Sequence, residues 1–402
     1  MSEVAQVPQL RFPEFNGDLE EKKLDDVGSF KSGTGFTEAE QGGKSGVPFF
    51  KVSDMNLEGN QKVMVSANNY VNDEQIARLN YKPINKKSVI FAKVGAAVFL
   101  ERKRIADSFL IDNNMMAFTP TEDIDFIRQW FDTVRLSKYA QVGALPSYNA
   151  SDLKTIKINL PALPEQTKIA SFLTTVDNKI EQLSKKQELL GEYKKGLMQQ
   201  IFSQAIRFKA DDGSDFPDWE EKKLGDVAEI VGGGTPPTAV EKYWNGNIQW
   251  FTPTEIKSKF IVNSKRTITQ VGLDTSSAKL LPKGTLLFSS RATVGEVGIA
   301  VQECTTNQGF QSFIVNKNNE PEFLYNWIIK NKKEFIRRAS GSTFLEIGKS
   351  EIKKIKLHIP ALPEQTKIAN FLSSIDSKIE QVGKQLDESK QFKKALLQQM
   401  FI

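Results

Sequence analysis

Apolar residues recur with one period in two separate stretches. They fall at Ile169, Phe172, Leu173, Val176, Ile180 and Leu183, and again at Ile368, Phe371, Leu372, Ile375, Ile379 and Val382. Steps of three and four place such residues on one face of a helix, close to a coiled-coil seam. The stripes resume at Tyr193, Leu197 and Ile201, and at Phe392, Leu396 and Met400. Each stretch opens on the same ten residues, PALPEQTKIA, at Pro161 and 199 residues later at Pro360. Pro164 and Pro363 suit a first helical position, where a missing N–H costs nothing. Glu165 and Glu364 suit the positive end of the helix dipole. Roughly 40 residues at about 1.5 Å each make a rod on the order of 60 Å. Gly191 and Gly383 weaken the interiors and allow a bend. A single stripe reads as an ordinary bundle helix; two near-copies predict that the helices pack on each other.

Connectivity predicts their direction. The first helix leads into residues 205–359 and the second leaves them, so the two should be antiparallel, with residues 1–160 at the opposite end. That divides the chain into a domain at 1–160, a helix at 161–204, a second domain at 205–359 and a second helix at 360–402. The expected shape is a dumbbell with an approximate internal two-fold.

The domains repeat as well. Leu19–Val27 (LEEKKLDDV) matches Trp219–Val227 (WEEKKLGDV), each after an aromatic-proline pair. A Gly/Thr loop follows, Ser32–Gly35 or Gly232–Pro237. Strand patterns then run over Val47–Met55 and Ile248–Ile256, and over Lys86–Gly95 and Lys283–Gly295. The latter end in polar tips, Lys93 in one and Ser289, Ser290 and Arg291 in the other. A helix follows in each, around Phe126–Trp130 and Phe323–Trp327. Then come a Gly/Ser loop (Val142–Tyr148, Ser340–Thr343) and a strand, TIKINL or KIKLHI. The expected fold is α+β: two similar α/β domains joined by two long antiparallel helices as a coiled coil. Scaffold kept and loops changed is what two recognition domains reading different targets would look like.

Composition narrows the function. Hydrophobic content of 39% and charged content of 26% fit a soluble globular protein. No apolar run approaches a membrane span, and the N-terminus lacks a signal pattern, so a cytoplasmic location is expected. One cysteine, Cys304, excludes an internal disulfide; one histidine, His358, argues against a Ser-His-Asp triad or a multi-histidine zinc site. A net charge of +5 permits a nucleic-acid partner.

Catalytic motifs fail on inspection. Gly43-Lys44-Ser45 ends like a phosphate-binding loop, but Glu38 stands where that motif needs glycine. Asp218 and Glu221 are too close in sequence for a metal nuclease, and Gly232–Gly234 is not a dinucleotide fingerprint. No Asn-Pro-Pro-aromatic tetrapeptide marks an amino-methyltransferase.

With PALPEQTKIA twice, FPDWEEKKLGDV, GGGTPP and LLFSSRATVGEVGIA, the chain resembles the specificity subunit of type I DNA restriction-modification enzymes. The resemblance implies two target-recognition domains, each reading half of a split, asymmetric duplex sequence. It implies a non-catalytic chain whose two helices space the domains and bind two methyltransferase subunits. Restriction and motor subunits would join these, with S-adenosylmethionine, ATP and Mg in the partners and adenine methylated there. On this resemblance the loop residues become candidate DNA contacts: Thr34, Lys44, Ser53, Lys93 and Tyr148 in the first domain, Thr235, Thr252, Thr254, Ser290, Arg291 and Ser342 in the second. Lys330, Lys333 and Arg337, spaced to share a helix face, read equally as phosphate contacts or as a solvated surface. Glu165, Gln166, Ile169 and Phe172, with Glu364, Gln365, Ile368 and Phe371, become candidate partner contacts on the spacer helices. Unit one carries Ser-Gly-Thr-Gly where the family has Gly-Gly-Thr-Pro. The alternatives are a coiled-coil scaffold without sequence-specific DNA binding, which salt-dependent duplex binding would separate, and a self-contained nuclease or methyltransferase.

Overall fold

The computed structural model describes residues 7–141, 143, 145–341 and 345–401. Its contacts divide the chain into two units, Met1–Lys185 with Gly383–Ile402, and Lys186–Val382. The division falls inside both long helices, so each unit holds one α/β domain and half of each helix.

The first unit contains β1 (Glu20–Lys23), β2 (Gly28–Ser32), β3 (Val47–Phe50), β4 (Tyr70–Val71), α1 (Asp73–Arg78), β5 (Ser88–Ala92), β6 (Lys103–Ala106), β7 (Leu110–Ile111), β8 (Met115–Pro120), α2 (Ile124–Thr133), α3 (Ala150–Lys154), β9 (Lys157–Leu160) and the start of α4 (Leu163–Phe202). Its sheets run β2-β8-β5-β6 and β4-β3-β7, with β1 paired to β9. The second contains the end of α4, β10 (Glu220–Lys223), α5 (Leu224–Val227), β11 (Ala228–Gly232), β12 (Trp244–Phe251), β13 (Phe260–Ile261), β14 (Arg266–Ile268), α6 (Gln270–Asp274), β15 (Leu286–Phe288), β16 (Val297–Ala300), β17 (Cys304–Thr306), β18 (Gln311–Val315), α7 (Pro321–Lys330), α8 (Lys332–Arg338), α9 (Lys349–Lys354), β19 (Lys356–Ile359) and the start of α10 (Leu362–Met400), whose end belongs to the first. Its sheets run β11-β18-β15-β16-β13 and β14-β12-β17, with β10 on β19. The order is the same with one strand added. Where β13 lies beside β16, the first unit has only a parallel bridge from Val63 to Ile105.

The expected strands over Val47–Met55 and Ile248–Ile256 stop early, at Phe50 and Phe251, and turn into 3-10 helix. Asp54 accepts the Lys51 N–H at 2.8 Å, and Glu255 accepts the Thr252 N–H at 2.8 Å. A side chain that bonds its own backbone in this way competes with the strand ladder.

Each core is completed by the long helices. In the first unit Phe91, Phe118, Phe126 and Phe131 pack with Ile169 and Leu173 from the start of α4 and with Leu396 and Met400 from the end of α10. In the second, Phe288, Phe313 and Phe323 pack with Met198 and Ile201 from the end of α4 and with Ile368 and Leu372 from the start of α10. Within each unit the helices are therefore antiparallel. A polar pair fixes their register in each: Asp177 to Lys393 at 2.7 Å, and Asp376 to Lys194 at 2.5 Å. These are the same two positions of the repeat with the helices exchanged. Both helices continue as α-helix through Gly191 and Gly383.

The repeated Pro-Glu-Gln faces inward, which corrects the expectation that it meets a partner. Glu165, 2% exposed, takes two bonds from Arg11, at 2.7 and 2.8 Å. Glu364, 0% exposed, takes two from Arg207, both 2.9 Å, and one from the Trp219 indole at 3.2 Å. Gln166 donates to Pro161 O and accepts from the Asp123 N–H; Gln365 donates to Pro360 O and accepts from the Glu320 N–H. Each motif thus clamps the helix start to the loop before α2 or α7. Ile169 and Ile368 are buried. Phe172 and Phe371 are half-buried against the edges of Phe12 and Phe208.

Candidate nucleic-acid interface

In each unit five segments meet, tied by four backbone hydrogen bonds that correspond one for one. In the first, Thr34 N donates to Ile111 O (3.0 Å), Asp112 N to Phe50 O (3.0 Å), Lys93 N to Asn114 O (2.8 Å) and Tyr148 N to Lys93 O (3.3 Å). In the second, Gly234 N donates to Thr306 O (2.8 Å), Asn307 N to Phe251 O (3.0 Å), Ser290 N to Gly309 O (2.9 Å) and Ile347 N to Ser290 O (2.9 Å). Glycine is required at the crossing. A Cβ on Gly33 would lie 1.7 Å from Asp112 O, and one on Gly233 2.0 Å from Asn307 O.

The crest of each cluster is a polar turn that sequence reasoning missed, Asp112–Met115 and Asn307–Phe310. Asp112 Oδ1 accepts Asn114 N at 3.1 Å, and Asn307 Oδ1 accepts Gly309 N at 2.9 Å. Such turns are a habit of Asp and Asn. Burial pushes the Asp112 carboxyl pKa up, more than the bonds from Asn114 lower it. Asn113 and Asn114 are exposed on one crest and Gln308 on the other. The Thr235 hydroxyl donates to Gln308 Oε1 at 2.5 Å. The available signal was a polar interruption, Asp-Asn-Asn or Asn-Gln-Gly, between apolar strands.

Aromatic residues strap the Gly/Thr loop. Trp250 Nε1 donates to Gly234 O (2.9 Å) and Trp244 Nε1 to Pro237 O (3.2 Å). The Arg266 guanidinium sits 3.5 Å over the Trp244 ring. Both tryptophans are core residues whose polar edges also hold the loop. In the first unit Phe36 stacks on Phe49 at 3.8 Å and Tyr81 OH donates to Gly35 O at 2.9 Å. Beside this loop lies a cleft of about 180 Å³ lined by Lys31, Thr34, Tyr81 and Lys82. Burial, then the neighbouring Lys82 charge, lower the Lys31 pKa.

Thr34, Lys93, Thr235 and Arg291 stand in these clusters, and Ser53, Thr252 and Thr254 lie on the adjoining 3-10 turns. Lys44 does not: its loop bonds β4, on the far edge of that sheet from β7. Tyr148 and Ser290 frame the clusters from inside. The Tyr148 hydroxyl donates to Ala92 O at 2.5 Å and burial raises its pKa; Ser290 Oγ donates to Gly309 O at 3.1 Å. Both are buried, at 2% and 0% exposure, so neither offers a side chain to a ligand. Thr252 Oγ1 is held by Glu255 at 2.7 Å, and Arg291 lies 3.7 Å from Glu346. Ser342 lies outside the described residues.

Lys330, Lys333 and Arg337 do not share one continuous helix face. The helix breaks at Asn331, whose amide donates to Trp327 O at 2.8 Å. Arg337 is tied to Glu334 at 2.7 Å. Lys330 and Lys333, and Lys349 and Lys353 on α9, are exposed, and among the described residues they make no ion pair. Residues 330–354 carry eight cations and three carboxylates, a surplus equal to the +5 of the whole chain.

Among the described residues no group of three or more His, Cys, Asp or Glu could hold a metal ion, and no helix is long and apolar enough to cross a membrane. Cys304 is buried, which pushes its thiol up to about 12. His358 stands exposed on β19 opposite Glu221.

A family model described as the type I restriction modification DNA specificity domain matches residues 16–190 and again 217–388. The chain is 39% identical over 191 residues to the type I restriction enzyme MjaIX specificity subunit of Methanocaldococcus jannaschii, a match spanning 46% of this chain and 44% of that relative. It is 26% identical over 388 residues to the putative MjaX specificity subunit of the same organism, covering 90% and 88%. Among solved structures it is similar to the type I restriction-modification S subunit from M. genitalium, with a TM-score of 0.62, 15% identity and 99% of each chain covered. A chain from a study of complex assembly and conformational transition of the type I R-M system gives 0.57 at 18% identity, covering 94% and 96%. At those identities the structures speak for the fold.

Proposed function

The chain belongs to the type I restriction modification DNA specificity family, and from that premise we propose that it reads a bipartite, asymmetric duplex sequence, one half with each unit. The observation that carries this is the paired loop cluster: one backbone frame in both units, with different side chains on it. Readout requires side chains at base edges, while phosphate contacts fix register. The exposed lysines of α8 and α9 suit the phosphates; the crests suit the bases.

The chain itself performs no chemistry in this reading. Two modification subunits dock on the long helices and supply S-adenosylmethionine for adenine methylation. Restriction and motor subunits add ATP- and Mg-dependent cleavage, and the complex works in the cytoplasm. Because Glu165, Gln166, Glu364 and Gln365 are occupied within the units, the docking surface falls on the outer helix faces. Tyr193 and Phe392, 57% and 54% exposed, hold matching positions there. The test is to map methylated adenines genome-wide in cells with and without this gene, then with residues 205–359 exchanged for those of a relative. The expected result is a split motif that depends on the gene and changes in one half only. Loss of both halves together, or no gene-dependent motif, would overturn it.

A further inference from the structure

We propose that Gln308, held by Thr235, is a specificity-determining residue of the second unit, and that Asn113 occupies the same post in the first. This rests on the DNA-reading function proposed above and assigns the base contact within it.

The two positions are equivalent by hydrogen bonding. Each follows the residue whose N–H bonds the last carbonyl of β3 or β12, and whose side chain caps the turn. Each precedes the residue whose carbonyl receives the N–H of Lys93 or Ser290. The backbone on both sides is therefore fixed by neighbouring loops, and the side chain between them projects from the crest. Phosphate contact would favour a cation at such a post. Both units place a carboxamide there instead, the group that pairs with the N7 edge of a purine and, bidentate, with adenine.

Thr235 adds preorganisation. Its hydroxyl occupies one lone pair of Gln308 Oε1, which orients the amide of this exposed side chain while using none of its N–H donors. A side chain fixed before binding loses less freedom on binding. Thr235 is thus a positioning residue.

The experiment uses the full chain assembled with its modification subunits. Methylated sites are sequenced, and Kd is measured on the cognate duplex, on single-base variants and on a scrambled duplex. Gln308→Ala should cut discrimination at one purine position of one half-site roughly tenfold to a hundredfold, leaving scrambled-duplex affinity unchanged. Asn113→Ala should do the same in the other half. Gln308→Glu, which turns donors into acceptors, should shift preference at that position toward cytosine. Thr235→Val should weaken discrimination at the same position and no other. Intact specificity in Gln308→Ala, with a sequence-specific wild-type complex, would overturn this assignment and leave the proposed function standing. No sequence preference in the wild type would overturn both. Equal loss on all duplexes would make Gln308 a phosphate contact and defeat the proposal.

Discussion

Replacing Glu364 by Gln separates a structural clamp from a partner surface. Glu364 is fully buried and accepts three bonds, two from Arg207 and one from the Trp219 indole. Arg207 also donates to Pro217 O at 2.8 Å, so the clamp holds the whole of residues 207–219 against the start of α10. Gln keeps the shape and one acceptor but removes the charge. A hydrogen bond to a charged group is worth about 1.5–3 kcal/mol, and two are weakened here. Arg207 keeps 26% of its side chain exposed, so water recovers part of the loss. The expected net cost is about 2–3 kcal/mol for opening this segment. Hydrogen exchange of peptides from 207–219 should then run roughly 30- to 150-fold faster, since each 1.4 kcal/mol is tenfold. Adding Arg207→Met should recover more than about 1 kcal/mol, because a lone charge beside an apolar surface is costlier than a neutral pair. Binding of the modification subunits should persist. Unchanged protection in 207–219, with weakened subunit binding, would refute the clamp and return Glu364 to a partner surface.

Asp112→Asn should keep its turn, since Asn307 does the same work in the second unit, and should stabilise the first unit at pH 7. The raised carboxyl pKa costs stability above the ordinary Asp value, and that pH dependence should vanish in thermal melts of the variant. Asp177 has the opposite sign. Burial alone would raise its pKa, but bonds from Lys393 and Gln129 outweigh it and hold the carboxyl low. Its contribution is therefore present above about pH 4 and lost as pH falls through the folded value. Lys393→Met should cost about 1.5–3 kcal/mol at pH 7, because Gln129 and Arg128 still hold Asp177, and should reduce this acid limb, read by urea unfolding at stepped pH. Mutating Lys330, Lys333, Lys349 and Lys353 together to Ala should reduce the slope of log K against log salt by about three to four while sparing the recognised sequence; an unchanged slope would remove the end of α7, α8 and α9 from the interface.

Local rules made the long helices legible. The stripes at Ile169–Leu183 and Ile368–Val382 encode their own period and buried face, and the repeat supplied their pairing. The length of the strand at Val47 was less legible, because Asp54 turns the chain with a bond that apolar alternation does not reveal. The Pro-Glu-Gln motif was misplaced for a longer-range reason. Its partner, Arg11, lies 154 residues away, so a polar helix start looked solvent-facing. The crest residues were missed because their post is defined only by bonds between segments far apart in the chain. Tyr148 and Ser290 were selected as loop polar groups, and only the folded frame shows their hydroxyls turned inward.

The way α10 closes the first unit also orders the protein's birth on the ribosome. Ile169 and Leu173 are made early, yet Leu396 and Met400, which cover them, emerge more than two hundred residues later. At about 5–20 residues per second the nascent first unit waits roughly 10–45 s with that seam bare. The second unit is continuous in sequence and is complete before the wait ends. A ribosome that stops within Gly383–Ile402 therefore releases a finished second unit attached to a first unit that lacks these turns of α10. Its bare seam is a mark by which chaperones and proteases can sort the truncated product from the whole.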